Sequence, residues 1–348
     1  MLAELTQRVA AGELSRDEAA TAMTVLLDST VGDEPKAAFL RAWAQRGETA
    51  NELAACTAAL LPRAVDPGVR GSWNGKPLLD CCGTGGGGLD LLNISTGIVF
   101  ILAAMGVPVV KHGNRGLTKK SGSADVLEAL GIRIDLPPEK LGACLEEVGA
   151  AFLFAPAYHT SFSVLGPVRK KLGADGQRTV FNLLGPLLNP AEPDARLVGV
   201  FSHESLYLYA EALAALGCPN FEVVCGEDAA TAQKIGEASG NGETLISGTR
   251  AVEGVTTLAI NAENNRPFDF SSMLVSGAQE SAAQLEALLA GGETSLARET
   301  LLLNAAVAAW AQGSAASIEE GQAASAEALD SGRALAVLRT WQEFSKKA

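Results

Sequence analysis

From Lys76 onward the chain alternates short apolar runs with segments of helical period, and this alternation constrains the fold more than any other feature. The apolar runs are Pro77–Cys82, Val107–Lys111, Ala151–Phe154, Leu197–Phe201, Phe221–Cys225 and Thr244–Ile246. Between them lie Ser95–Met105, Ser123–Leu130, Glu139–Val148 and Glu204–Leu216, which read as helices. Strands joined through helices pair in parallel, and each crossover lays a helix on one face of the sheet. The reading is therefore an α/β fold with a mainly parallel sheet covered on both faces. In such sheets ligands bind beyond the carboxyl ends of the strands. The alanine-rich segments Glu280–Leu289, Leu296–Gln312 and Ile318–Lys346 read as helices completing the outer layer.

The first sixty residues have a different texture. Leu2, Leu5, Val9 and Ala10 recur at helical spacing, and Ser15 with Glu18 forms a capping-box start before Ala19–Leu27. Thr49 with Glu52 repeats that start before Leu53–Leu61, and Pro62–Gly75 follows as a linker rich in turn formers. The expected organisation is a small all-helical subdomain over 1–66 and a larger α/β domain over 76–348, with part of 160–190 packing on the helices.

The net charge of −13 argues against nucleic acid as a partner, because phosphate neutralisation needs a basic surface. No membrane association is expected either: the N-terminus lacks an apolar signal core, and the longest apolar stretch, Ile98–Val110, is broken by Gly106. The six cysteines fit neither a zinc pattern nor a disulfide framework, which points to reduced thiols in a cytoplasmic protein.

Three segments carry candidate chemistry. In Asp80–Thr96 a strand runs into four consecutive glycines, Gly85 to Gly88, and a helix opens near Asn93, Ser95 and Thr96. Glycines let backbone N–H groups approach oxygen-rich groups closely, and a helix N-terminus adds partial positive charge, so a phosphate fits there. In Val109–Asp125 another strand enters a polar loop. Lys111, Arg115, Lys119 and Lys120 place four positive charges in ten residues without an acid, interleaved with Thr118, Ser121 and Ser123. That composition suits an anion cradle. The third segment, Phe154–Thr160 with Pro167–Leu172 and Arg178–Pro190, contributes Arg169, whose planar fork can hold a carboxylate. His159 reads as a hydrogen-bonded structural residue. No nucleophile–base spacing is evident.

The motifs Gly83-Thr-Gly-Gly86, Asn93-Ile-Ser-Thr96, Lys111-His-Gly-Asn-Arg115, Ser121–Gly131 and Phe181-Asn-Leu-Leu-Gly-Pro186, in this order, closely resemble the anthranilate phosphoribosyltransferase family, part of the group that includes the pyrimidine nucleoside phosphorylases. The resemblance spans roughly the whole chain. It implies transfer of the phosphoribosyl group of phosphoribosyl pyrophosphate to the amine of anthranilate, with Mg²⁺, by a homodimer joined through its helices. The implied substrate-binding set is Gly83, Thr84, Gly86, Gly87, Leu91, Asn93, Ile94, Ser95, Thr96, Lys111, His112, Gly113, Asn114, Arg115, Thr118, Lys119, Ser123 and Arg169. Asn114 and Arg169, with His112 nearby, would hold anthranilate; Lys111, Asn114 and Arg169 form the implied catalytic set. Ser95 and Glu237 are the implied metal ligands.

The chain departs from the family pattern in four places. Gly87 stands where an aspartate is expected, Leu91-Leu92 replace a Thr-Phe pair, and Lys119 replaces a serine and adds charge toward the pyrophosphate. The family's Asp-Glu metal pair aligns with Gly236-Glu237, or in another register with Glu227-Asp228. A same-fold protein with a different acceptor, attack by phosphate as in a nucleoside phosphorylase, or a binding protein without activity are the alternative readings.

Overall fold

The computed structural model describes residues 1–348 apart from 86–88, 117–119, 230, 252–255, 260–269 and 292–293. Four helices open the chain: α1 (Leu2–Ala11), α2 (Arg16–Leu26), α3 (Asp33–Arg46) and α4 (Ala50–Leu60). Both expected capping boxes are present, with the Ser15 and Thr49 hydroxyls accepting the Glu18 and Glu52 backbone N–H groups. Glu52 is fully buried and also accepts from Leu14 N–H and from the Trp43 indole at 3.0 Å, so one carboxylate ties the α1–α2 connection, α3 and α4 together.

A small hairpin, β1 (Ser72–Trp73) and β2 (Lys76–Pro77), leads into the α/β part. Its elements follow as β3 (Leu79–Gly83), α5 (Ile94–Ala104), β4 (Val109–Gly113), α6 (Ser123–Ala129), α7 (Leu141–Val148), β5 (Ala150–Phe154), α8 (Ala155–Tyr158), α9 (Gly166–Ala174), α10 (Val180–Leu183), β6 (Ala195–Gly199), α11 (His203–Ala215) and β7 (Asn220–Glu227). Then come β8 (Lys234–Ile235), β9 (Glu243–Gly248), β10 (Thr256–Ala259), α12 (Ala278–Leu289), α13 (Leu296–Gln312), α14 (Ile318–Asp330) and α15 (Arg333–Lys347).

The sheet order is β10-β9-β7-β6-β3-β4-β5, with β8 beside β7. Strands β7, β6, β3, β4 and β5 run parallel, whereas β8, β9 and β10 join antiparallel. The chain moves outward from β3 through β4 to β5, then returns to the other side of β3 as β6. That reversal is the topological switch point, and it opens a crevice at the carboxyl ends of β3 and β6.

One apolar cluster packs α5, α7, α13 and α15 on the sheet. A second joins the N-terminal helices to Leu165, Val168, Leu172, Val180, Phe181 and α11. The segment read from sequence as one helix over Ile318–Lys346 is two helices. Gly332 adopts a left-handed conformation, φ 77°, which a glycine reaches without strain, and the chain turns there.

Candidate active site

At the switch point a cavity of about 520 Å³ is bordered by both loop-to-helix junctions, by the α8–α10 segment and by Gly236-Glu237. Backbone packing fixes its base. A Cβ on Gly199, at the end of β6, would overlap the Gly236 carbonyl, and one on Gly236 would lie 2.8 Å from the Phe201 ring. Only glycines allow this approach.

The first junction ends β3 at Gly83, and Thr84 N–H bonds the Gly199 carbonyl at 2.9 Å. Asn93 caps the entrance to α5, where its side-chain oxygen accepts from the Ser121 and Ser281 hydroxyls, each at 2.9 Å. Asn93 thereby joins the two junctions. Gly83, Thr84, Leu91, Asn93 and Ser95 border the cavity. Ile94 and Thr96 do not: both side chains are fully buried in the first turn of α5, because that helix must bury its apolar face. Gly86 and Gly87 lie outside the described residues.

The second junction brings Lys111, His112, Gly113, Asn114, Arg115 and Ser123 to the same cavity. Lys111 is buried, and its ammonium donates to the Cys81 carbonyl and to Ser95 Oγ at 3.3 Å. The loop is folded tightly, since a Cβ on Gly113 or Gly122 would strike Ser123 Oγ or the Asn114 carbonyl. Asp125 secures it by accepting from Gly116 and Gly122 N–H at 2.8 and 2.9 Å.

The run of unopposed charge expected here is partly neutralised by acids outside it in sequence. Arg115 bonds Asp125 at 3.1 Å and Glu128 at 2.9 Å, and Lys120 lies 3.4 Å from Asp90. Thr118 and Lys119 fall outside the described residues. Lys111, by contrast, donates to two neutral oxygens.

The third side is an aromatic relay that sequence reading did not anticipate. The His112 and His159 rings meet edge-on at 5.3 Å, His159 stacks on Phe162 at 5.2 Å, Phe162 meets Phe181 at 5.6 Å, and the Arg169 guanidinium stands 5.8 Å from the Phe181 centroid. Burial drives the pKa of His112 down to about 3, helped by His159, so its ring is neutral. Its Nε2 is buried with no protein partner. His159 has the structural role expected of it, with Nε2 2.8 Å from the Leu188 carbonyl, and it also borders the cavity. Burial lowers the pKa of Arg169. Phe162, Asn182 and Phe201 were missed. Phe201 lies two residues beyond the end of β6, where the switch-point rule directs attention; Phe162 carried no local signal.

Glu237 is the one acidic residue among the described residues lining the cavity. The rival register is otherwise engaged: Glu227 pairs with Lys234, and Asp228 accepts from Thr231 Oγ1 at 2.6 Å. Ser95 and Glu237 place oxygen donors on one cavity, and oxygen donors of this kind suit a hard divalent cation. The cavity can thus take a polyanion over its glycine and lysine side and a planar aromatic acid along its ring-lined side.

Residues 75–335 match the a/b domain of the glycosyl transferase family, and residues 2–64 match that family's helical bundle domain. The chain is 38% identical over 350 residues to the anthranilate phosphoribosyltransferase of Symbiobacterium thermophilum, covering 99% of this chain and 97% of the relative. It is 39% identical over 351 residues to that of Solibacter usitatus, covering 99% and 98%. Its structure is similar to the crystal structure of anthranilate phosphoribosyltransferase from Thermus thermophilus, with a TM-score of 0.87, 37% identity and coverage of 98% and 99%.

Proposed function

The chain belongs to the glycosyl transferase family of these two domains, and from that membership we propose its reaction: transfer of the phosphoribosyl group of phosphoribosyl pyrophosphate to the amine of anthranilate, releasing pyrophosphate in tryptophan biosynthesis. Near-full-length similarity to anthranilate phosphoribosyltransferases supports this reading. The observation that carries it in this chain is the convergence of both loop-to-helix junctions on a single cavity with an aromatic, arginine-ended side.

The chemistry asks little of a protein base. As the C1–O bond to pyrophosphate breaks, negative charge grows on the leaving group and positive charge on the sugar, so the site must stabilise the first and position the amine. Lys111 and the N–H groups opening α5 face the leaving pyrophosphate. Ser95 and Glu237 would hold Mg²⁺, which when bound would neutralise charge on the phosphate oxygens. Arg169 and Asn114 hold the acceptor's carboxylate, and its ring lies along His159 and Phe162. Neutral His112 adds no positive charge beside the developing cationic sugar. We further propose that the chain works as a homodimer joined through its N-terminal helices, in the cytoplasm; no helix among the described residues is long and apolar enough to cross a membrane.

The test is loss of anthranilate fluorescence in the presence of purified protein, phosphoribosyl pyrophosphate and Mg²⁺. Turnover that requires all three supports the assignment. Turnover of a nucleoside with phosphate, and none of anthranilate, would reject it.

A further inference from the structure

A second cavity, of about 1010 Å³, lies at the opposite ends of the strands, between the N-terminal helices and the segments that enter β6 and β7. Its lining is mixed: Ala54, Ala55 and Ala58 on α4, with Leu213 on α11 and Leu216 just beyond it, supply apolar wall among several charged side chains. Its charged groups divide into paired and unpaired ones. Arg8 is bonded to Glu18 at 3.1 Å, Arg70 pairs with Glu192, and Glu13 accepts from Thr49 and Asn51. Three groups make no ion pair among the described residues, although Arg196 stands beside the buried Asp80 across the β3–β6 pairing.

Arg196 is only 6% exposed, and its Nε has no hydrogen-bond partner. A buried guanidinium N–H without an acceptor is costly, so a ligand that supplies one is favoured. Asp194, at the bend just before β6, lines the same cleft. Its carboxylate packs against Gly71 and makes no ion pair among the described residues. Arg16, at the start of α2 on the rim, likewise makes no ion pair among the described residues.

We propose that this cleft is a binding site for a small zwitterion with an apolar body, such as a free α-amino acid with an apolar side chain. Arg196 and Arg16 take the carboxylate, Asp194 takes the ammonium, and the alanine–leucine walls take the side chain. A simple anion fits less well, because Asp194 would oppose it.

The site is connected to the reaction centre. Arg196 Nη1 donates to the Pro186 and Leu187 carbonyls at 3.2 and 3.1 Å, and Pro186 borders the active cavity. A ligand that engages Arg196 therefore bears on the acceptor side of that cavity.

Calorimetric titration of the whole protein with L-leucine, L-phenylalanine and L-tryptophan tests the idea without requiring turnover. At least one should bind saturably. Its N-acetyl and amide derivatives, each lacking one charge, should bind roughly tenfold more weakly, as should the free amino acid to Asp194→Asn and Arg16→Ala. These rim variants avoid the folding risk of replacing buried Arg196. Occupancy should also change the KM for anthranilate. No saturable binding, equal binding of the derivatives, displacement of the bound amino acid by inorganic phosphate, or binding unchanged in both variants would each overturn the proposal. An unchanged KM at saturation would overturn the connection through Arg196.

Discussion

The ammonium of Lys111, in the middle of β4, lies 3.3 Å from the hydroxyl of Ser95 in the first turn of α5. Two motifs separated in sequence meet in this contact. It places a buried cation beside the N–H groups that open a helix, which is the electrostatic setting a departing pyrophosphate needs.

Arg169 is the residue expected to discriminate the acceptor. Arg169→Ala should raise the KM for anthranilate roughly tenfold or more, in line with loss of a charge-assisted hydrogen bond, and leave the KM for phosphoribosyl pyrophosphate nearly unchanged. Initial rates with each substrate varied in turn provide the check. Unchanged anthranilate kinetics would remove Arg169 from the site.

Glu237 should set the metal requirement. Glu237→Gln should shift the Mg²⁺ concentration for half-maximal activity upward by roughly tenfold, because one anionic oxygen ligand becomes neutral. Rates at fixed substrate over a Mg²⁺ series measure this, and chelation should abolish turnover in both proteins.

Both junctions were legible in sequence because each is local. A strand end, glycines and a capping residue lie within one stretch, so Asn93, Ser95, Lys111 and Ser123 could be picked out together. What was not legible depends on distant chain segments. Arg115 looked free because Asp125 and Glu128 belong to the helix that follows. Phe162 acquires its meaning only by packing between His159 and Phe181. Gly332 was hidden in an alanine-rich run whose periodicity continues on either side of it.

The glycines of the crevice are predicted to be unequal. Gly199→Ala would drive a Cβ into the Gly236 carbonyl and should destabilise the protein by about 2 kcal/mol or more. Gly173, within α9, has open space around it, so Gly173→Ala should stabilise by up to about 1 kcal/mol. Urea unfolding of the two variants distinguishes these outcomes.

Glu222 links stability to pH. It is fully buried on β7, accepts from Arg250 N–H at 2.7 Å, and burial pushes its pKa up to about 7 from 4.5. The folded state therefore holds a proton that the unfolded chain releases earlier, so this contribution to stability is complete below pH 4.5 and is lost as pH rises to about 7. Glu222→Gln should match the parent protein at low pH and exceed it by roughly 3 kcal/mol above neutrality. Unfolding free energies of both proteins across that range are the measurement; a difference independent of pH would contradict the assignment.

The shared phosphoribosyl pyrophosphate site is tested most directly by a double-mutant cycle on Ser95 and Lys111. Binding of phosphoribosyl pyrophosphate with Mg²⁺ is measured by calorimetry for the parent, Ser95→Ala, Lys111→Ala and the double variant. Lys111→Ala should weaken binding at least tenfold, and the double variant should lose less than the sum of the single losses, by about 0.5 kcal/mol or more. Additive losses, or binding indifferent to Lys111, would mean that the two junctions do not grip one ligand together.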